Sequence, residues 1–185
     1  MRYRRLRQPG ATYFFTVVTG SRKPHFGERA NVDLLLDVMR LVAVDHPFDI
    51  DAQVILPDHL HTLWTLPEGD TDFPTRWMLI KSNFTRRVRV GLRKEPQPDL
   101  PSFARISRRE RTIWQKRYWE HLIRDEEDFA RHVDYIHYNP VKHGHVKAPS
   151  EWPYSTFKEF VSRGSYDSHW GEDCMPPLPN WAVRE

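Results

Sequence analysis

Cysteine is almost missing from this sequence. Cys174 is the one thiol in 185 residues, so an internal disulfide is excluded and a reducing, cytoplasmic setting is expected. Long apolar runs are missing as well. No stretch approaches the roughly 20 apolar residues of a membrane helix, and the basic start from Met1 to Arg7 leads into a strand-like pattern, not a leader. Acids are missing from three places. Arg2, Arg4, Arg5, Arg7, Arg22 and Lys23 all precede the first carboxylate, Glu28. Lys81, Arg86, Arg87, Arg89, Arg93 and Lys94 have no acid among them. Only Glu110 interrupts Arg105, Arg108, Arg109, Arg111, Lys116 and Arg117. Any one such cluster reads as a solvated face. Three in a chain whose net charge is only +3 imply segregated charge and a basic surface for a polyanion. No repeat is visible. With 39% apolar residues and a length near that of one ordinary domain, the chain is expected to bury a single core.

Thr12–Thr19 is β-branched and aromatic and predicts a strand. Leucines and valines at helical spacing predict a helix over Asn31–Val44, ended before Pro47. Phe48–Leu56 and His59–Leu66 predict two strands joined at Pro57-Asp58. Thr75–Leu92 predicts a basic helix with Trp77, Ile80 and Phe84 on its apolar stripe. Lys94–Arg111, with three prolines, predicts an exposed loop. A fourth strand is expected from about Ile113 to Ile123. Asp125 begins a last long helix through Phe129, Val133 and Ile136, which Pro140 should end or kink. A short helical stretch is expected near Thr156–Val161. The order is that of an α+β, ferredoxin-like fold: an antiparallel sheet with helices mainly on one face. The working division is a domain over 1–149 and a C-terminal tail over 150–185 that packs on it or regulates it.

Two segments carry chemistry. In His59-Leu60-His61, strand alternation sets both imidazoles on one face and Leu60 on the other. Two imidazoles can share a metal ion, although the pair alone reads more readily as two surface or hydrogen-bonded histidines. In Asp134-Tyr135-Ile136-His137-Tyr138-Asn139-Pro140, Tyr135 and Asn139 lie four apart on one helix face. Tyr135 could offer a hydroxyl to a phosphorus atom, and Asn139 an amide oxygen to the metal. Imidazole with carbonyl oxygen suits Mg2+ or Mn2+. The bland alternative is a core tyrosine and a helix-ending asparagine. His137 falls on the opposite face, Tyr138 is a rival nucleophile, and His132 and His143 lie nearer the Tyr135 face. His121 reads as structural. Asp58 reads at most as support for the histidines.

Further motifs set these segments in context: Tyr13-Phe14-Phe15-Thr16-Val17, Val54-Ile55-Leu56-Pro57-Asp58-His59-Leu60-His61 and Trp64-Thr65-Leu66-Pro67. They continue in Trp114-Gln115, Tyr118-Trp119-Glu120-His121, His132-Val133-Asp134-Tyr135, Asn139-Pro140-Val141-Lys142-His143-Gly144 and Trp152-Pro153-Tyr154-Ser155-Thr156-Phe157. On these motifs, spread over nearly the whole chain, the sequence resembles the single-tyrosine HUH transposases, and within them the REP-associated tyrosine transposases of bacteria.

The resemblance implies an HUH endonuclease fold. It implies a metal held by His59, His61 and Asn139, Mg2+ or Mn2+ as the ion, and Tyr135 as nucleophile. Attack would give a 5′-phosphotyrosine and a free 3′-hydroxyl. Single-stranded DNA beside a palindromic repeat hairpin is the implied substrate. Arg4 and Arg5 are implied readers of guide bases, and Lys81, Arg86, Arg87 and Arg89 of the basic helix are candidate DNA contacts. Tyr3 and Trp77 are aromatic candidates for base stacking. A nucleoid-associated protein, monomeric or homodimeric, is expected. The alternatives are a hairpin-binding protein without efficient cleavage and a metal-dependent hydrolase of another substrate.

Overall fold

A computed structural model describes residues 7–94, 113–172 and 175–176. The predicted loop at Lys94–Arg111 falls almost wholly outside the described residues. Tyr3, Arg4 and Arg5 lie outside them entirely.

Four strands, β1 (Thr12–Val18), β2 (Asp49–Ile55), β3 (His59–Thr65) and β4 (Trp119–Leu122), form one antiparallel sheet in the order β2-β3-β1-β4. Each begins and ends close to its predicted bounds except β4. The Ile113–Ile123 segment pairs as a strand only over Trp119–Leu122; upstream, Trp114 makes a single bridge to Thr19. Ile113 and Trp114 are buried, and Trp114 packs on Phe26 and Phe84, so their apolar character serves a crossing segment instead of a ladder.

Strand alternation divides the sheet into two faces. Tyr13, Phe15, Val17, Leu60 and Trp64 face α1 (Arg29–Asp45) and α2 (Phe73–Lys94). α1 offers Val32, Leu35, Val38, Met39 and Val42 at three- and four-residue spacing, and α2 offers Phe73, Trp77, Ile80 and Phe84. Trp77 lies flat on Trp64, centroids 4.2 Å apart, and is fully buried. The stacking role entertained for Trp77 is thereby withdrawn: its ring is core. Arg76, also buried, ties the start of α2 to the chain before β2. It donates to the carbonyl of Pro47 at 2.6 Å and pairs with Asp70 at 2.6 Å.

The second face carries Phe14, Ala52, Val54 and Leu63, and α3 (Glu126–Lys142) covers it with Val133, Tyr135 and Ile136. Among the described residues, two long helices thus share one face, and α3 lies on the other. Asp125 caps α3, accepting from the Asp128 amide at 2.8 Å, and three acids occupy the first turn at the positive end of the dipole. Pro140 does not end α3, which runs on to Lys142. Proline at 140 removes only its own N–H from the ladder, a loss the last turn absorbs.

The described residues after 149 pack beside β2 and over the outside of α3. The Thr156 hydroxyl accepts from the Gln53 amide at 2.9 Å, and Trp152 donates to the Ile55 carbonyl at 3.0 Å. A short α4 (Phe157–Ser162) follows, and Tyr166 donates to Asp134 at 2.6 Å.

Candidate metal centre and nucleophile

The register sets the site. Thr16 of β1 lies opposite His61 of β3 on one side and Trp119 of β4 on the other, and Val18 lies opposite His59. These side chains all point toward α3 by alternation. The His59 and His61 rings stand edge to face, centroids 4.9 Å apart. Both are buried. His59 Nδ1 is 2.6 Å from Asp58 Oδ1, and Asp58 also accepts from Arg22 at 3.2 Å. The His59 hydrogen bond, then Arg22, hold the Asp58 carboxyl down at about 2 against the opposing effect of burial. His61 Nδ1 is 2.9 Å from the Thr16 hydroxyl. Burial first, then His59, His143, Lys142 and Arg22, push His61 well below the ordinary imidazole value. It stays neutral, the form in which imidazole can ligate.

α3 lays a four-residue stripe against this pair. The Tyr135 ring stands edge-on to His61, centroids 5.1 Å apart, and the His143 ring edge-on to His59, also 5.1 Å. Asn139 occupies the turn between them. It is fully buried, and neither its Oδ1 nor its Nδ2 has a hydrogen-bond partner among the described residues. An amide so placed carries a desolvation cost of about 1–3 kcal/mol unless something takes its oxygen. The donor set of two imidazoles and one uncommitted amide oxygen fits a divalent ion.

Lys142 closes the stripe. Its Nζ donates to the Tyr135 hydroxyl at 3.3 Å and lies 4.9 Å from the ring centroid. Tyr135 is fully buried beneath it. The sequence pattern names Lys142 within the Asn139–Gly144 motif, with no role beside Tyr135, and Pro140 is expected to end or kink the helix before it. Residues seven apart on a continuous helix share a face, and that spacing was the available signal.

The remaining candidates are placed as follows. Tyr138 turns away to the segment after 149, near Trp170, with centroids 6.4 Å apart. His137 is buried on the far side of α3, 2.8 Å from the Thr156 hydroxyl. His132 belongs to another cluster: its Nδ1 lies 2.7 Å from the Asp128 carbonyl and its ring stacks on His121. His121, Asp128 and His132 bring possible ligand atoms within 4.8 Å of one another. Asp128 already accepts from the Arg124 side chain and amide, both at 3.1 Å, so its negative charge is matched by a guanidinium. That cluster locks the start of α3 onto β4. Lys81, Arg86, Arg87 and Arg89 lie on α2, across the sheet from the histidines. Lys81 donates to the Gln115 carbonyl at 3.2 Å and lies over Tyr118, while Arg86, Arg87 and Arg89 are exposed.

Comparison with known proteins bears on the family and the fold. No family model matches the sequence. A REP-associated tyrosine transposase of Escherichia coli is 43% identical over 171 residues, 92% of this chain and 91% of that protein. A Haemophilus influenzae protein of the same family name is 41% identical over 170 residues, 91% of this chain and 92% of its own. Among solved structures, a REP-associated tyrosine transposase bound to a REP hairpin superposes with a TM-score of 0.76 at 43% identity, covering 92% of this chain and 90% of the other. With a near full-length likeness in sequence and in fold, the chain belongs to the REP-associated tyrosine transposases.

Proposed function

We propose that this protein is a metal-dependent single-stranded DNA endonuclease and strand transferase that acts beside palindromic repeat hairpins through a 5′-phosphotyrosine. The observation that carries the reading is the α3 stripe, which sets Tyr135 against His61 and His143 against His59 with Asn139 between them. The hairpin substrate rests on the family, one solved member of which is bound to such a hairpin.

His59, His61 and Asn139 would hold the ion through His59 Nε2, His61 Nε2 and Asn139 Oδ1. Asp58 and Thr16 engage the opposite ring nitrogens and fix each imidazole's orientation. Bound there, Mg2+ or Mn2+ would polarise the scissile phosphodiester and offset the charge that builds on it. Tyr135 Oη attacks phosphorus, the bond from phosphorus to the 3′-oxygen breaks, and that oxygen leaves as a hydroxyl with the proton the phenol gave up. Phenol has an ordinary pKa of about 10, so it needs help at neutral pH. The Lys142 ammonium, already on the hydroxyl, favours negative charge on that oxygen. Because Tyr135 is buried under Lys142, strand entry moves the flexible lysine stem aside. The covalent link conserves the bond, so a second 3′-hydroxyl can reverse the step and join strands. Lys81, Arg86, Arg87 and Arg89, together with Arg4 and Arg5, are assigned to DNA contact.

The test is a hairpin with single-stranded flanks, labelled at its 3′ end, incubated with Mg2+ or Mn2+ and resolved on a denaturing gel. The expected result is a labelled protein adduct that Tyr135→Phe abolishes while hairpin binding persists. Adducts in that variant would assign the nucleophile elsewhere. The burial of Tyr135 favours one second reading, hairpin binding without cleavage. Tight binding with no adduct under either metal is its signature.

A further inference from the structure

A cavity of about 310 Å³ opens beside His59, at the β4 edge of the sheet, with Gln115 and Tyr118 also in its lining. Its floor is Thr16 and Val18 of β1, and His59 and His143 form one wall. Trp119 forms another, with Arg22 and Arg117 at the rim. We infer that this cavity seats one nucleotide of the cut strand, the base lying against Trp119 and the phosphate between Arg22 and Arg117. The inference rests on the cleavage reading and names where that strand sits.

Register is the first argument. Trp119, Thr16 and His61 form one transverse row across β4, β1 and β3. Neighbouring strands are about 4.8 Å apart, so the indole stands roughly 10 Å across the sheet from the histidine. A base on the indole and a phosphate at the histidines are thus within a nucleotide's reach of each other.

Aromatic exposure is the second. Trp119 is 38% exposed, although its ring has local support: Phe14 meets it edge-on at 5.6 Å and His121 lies parallel at 5.9 Å. The indole is braced, yet more than a third of the residue is open to water. That is the form of a stacking platform, on which a base contributes about 1–3 kcal/mol whatever its identity.

Charge and size are the third. Arg22 keeps donors to spare after its bond to Asp58, because a guanidinium has five. Arg117 is exposed at the entrance to β4. Two guanidiniums flanking an aromatic wall suit a phosphodiester with its base. At 310 Å³ the cavity lies near the lower end of the usual ligand range of about 300–1,000 Å³, which suits one nucleotide and not a peptide or a duplex.

The experiment is an abasic scan crossed with substitution at Trp119. Hairpin oligonucleotides carry a single abasic position at each site flanking the cut. Binding by anisotropy and adduct formation are both measured with wild type, Trp119→Phe and Trp119→Ala. The expected result is one position at which base removal costs wild type about tenfold. Trp119→Ala should show that loss on the intact strand and almost none further on the abasic one, whereas Trp119→Phe should stay near wild type. Losses that multiply at every position overturn the assignment. Binding reports the coupling even where no adduct forms, so failure of the cleavage reading and failure of this pocket are told apart. Trp119→Ala is compared by thermal unfolding. Should it not fold, Arg117→Gln decides: it must weaken binding of the intact strand and lower the salt slope by about one. An unchanged slope overturns the proposal. Displacement of the strand by free deoxynucleoside monophosphate at micromolar concentration would identify a mononucleotide site and overturn it as well.

Discussion

Tyr135 stands edge-on to His61 within one chain, ring centroids 5.1 Å apart at an interplanar angle of 70°. The helix that carries the nucleophile candidate is docked on the same sheet that carries the histidines, with Val133 and Ile136 in the core that joins them. The arrangement needs no second subunit to bring the groups together. Mixing inactive Tyr135→Phe with inactive His61→Ala should therefore restore no adduct formation. Recovery of a quarter or more of wild-type activity in the mixture would mean that the tyrosine helix is exchanged between subunits.

Lys142 separates charge from cover. Methionine has nearly the same length and would shield the phenol equally well, so Lys142→Met removes chiefly the ammonium from the Tyr135 oxygen. Adduct formation should slow by about ten- to a hundredfold, a typical loss for one donor to a developing charge. Lys142→Arg should keep most of the rate. A faster Lys142→Met would show that the lysine acts as a plug.

Asn139 opposes stability to activity. Its buried amide has both polar atoms without a hydrogen-bond partner among the described residues. Asn139→Leu should raise stability in chelator by about 1 kcal/mol, because it removes an uncompensated polar group. The same variant should lose metal-dependent thermal stabilisation and adduct formation. A destabilised Asn139→Leu that still responds to Mn2+ would take Asn139 out of the ligand set.

His132 sets a pH dependence of folding. Burial holds it down at about 4 in the native state, against an ordinary value of 6.5. The unfolded chain therefore takes up a proton that the folded one refuses, and stability falls as pH drops from about 6.5 toward 4. His132→Gln cannot lose stability this way. Its deficit relative to wild type in urea unfolding should be largest at pH 7 and shrink by on the order of 2 kcal/mol by pH 4.5. A constant gap would contradict the burial argument.

Arg86 and Arg87 are exposed on α2, on the sheet face away from the histidines. If they contact a phosphate backbone, their joint replacement by Gln should weaken binding alike for all sequences and reduce the salt slope by about two. Single-strand cleavage rates at saturating DNA should be unchanged. An unaltered slope would exclude that surface.

Most of the fold was legible because its signals are local. Alternation in His59–Thr65 told which histidines share a face, and apolar spacing in α1 and α2 told which faces bury. What escaped was tertiary. The aromatic run at Ile113–Tyr118 has strand composition but packs across the end of the sheet, a difference no local pattern records. Pro140 suggested an end or a kink in α3, whereas the helix runs one more half-turn and so brings Lys142 to Tyr135 and His143 to His59. That Trp119 joins the row of Thr16 and His61 depended on the register of β4, which follows from pairing alone.

Because β1 alternates strictly between the two faces, its reading frame is also a functional constraint. One residue inserted between Tyr13 and Phe15 would rotate the remainder of the strand by half a turn. Thr16 would leave His61 for the aromatic layer beneath α2, and Phe15 would be thrust among the imidazoles. Single-codon insertions in β1 should therefore be lethal to activity even in variants that still fold. Insertions at Glu68-Gly69, where the chain is exposed and already turns with a positive φ of 82° at Gly69, should be tolerated. β1 resists such editing for a reason of parity and not of size.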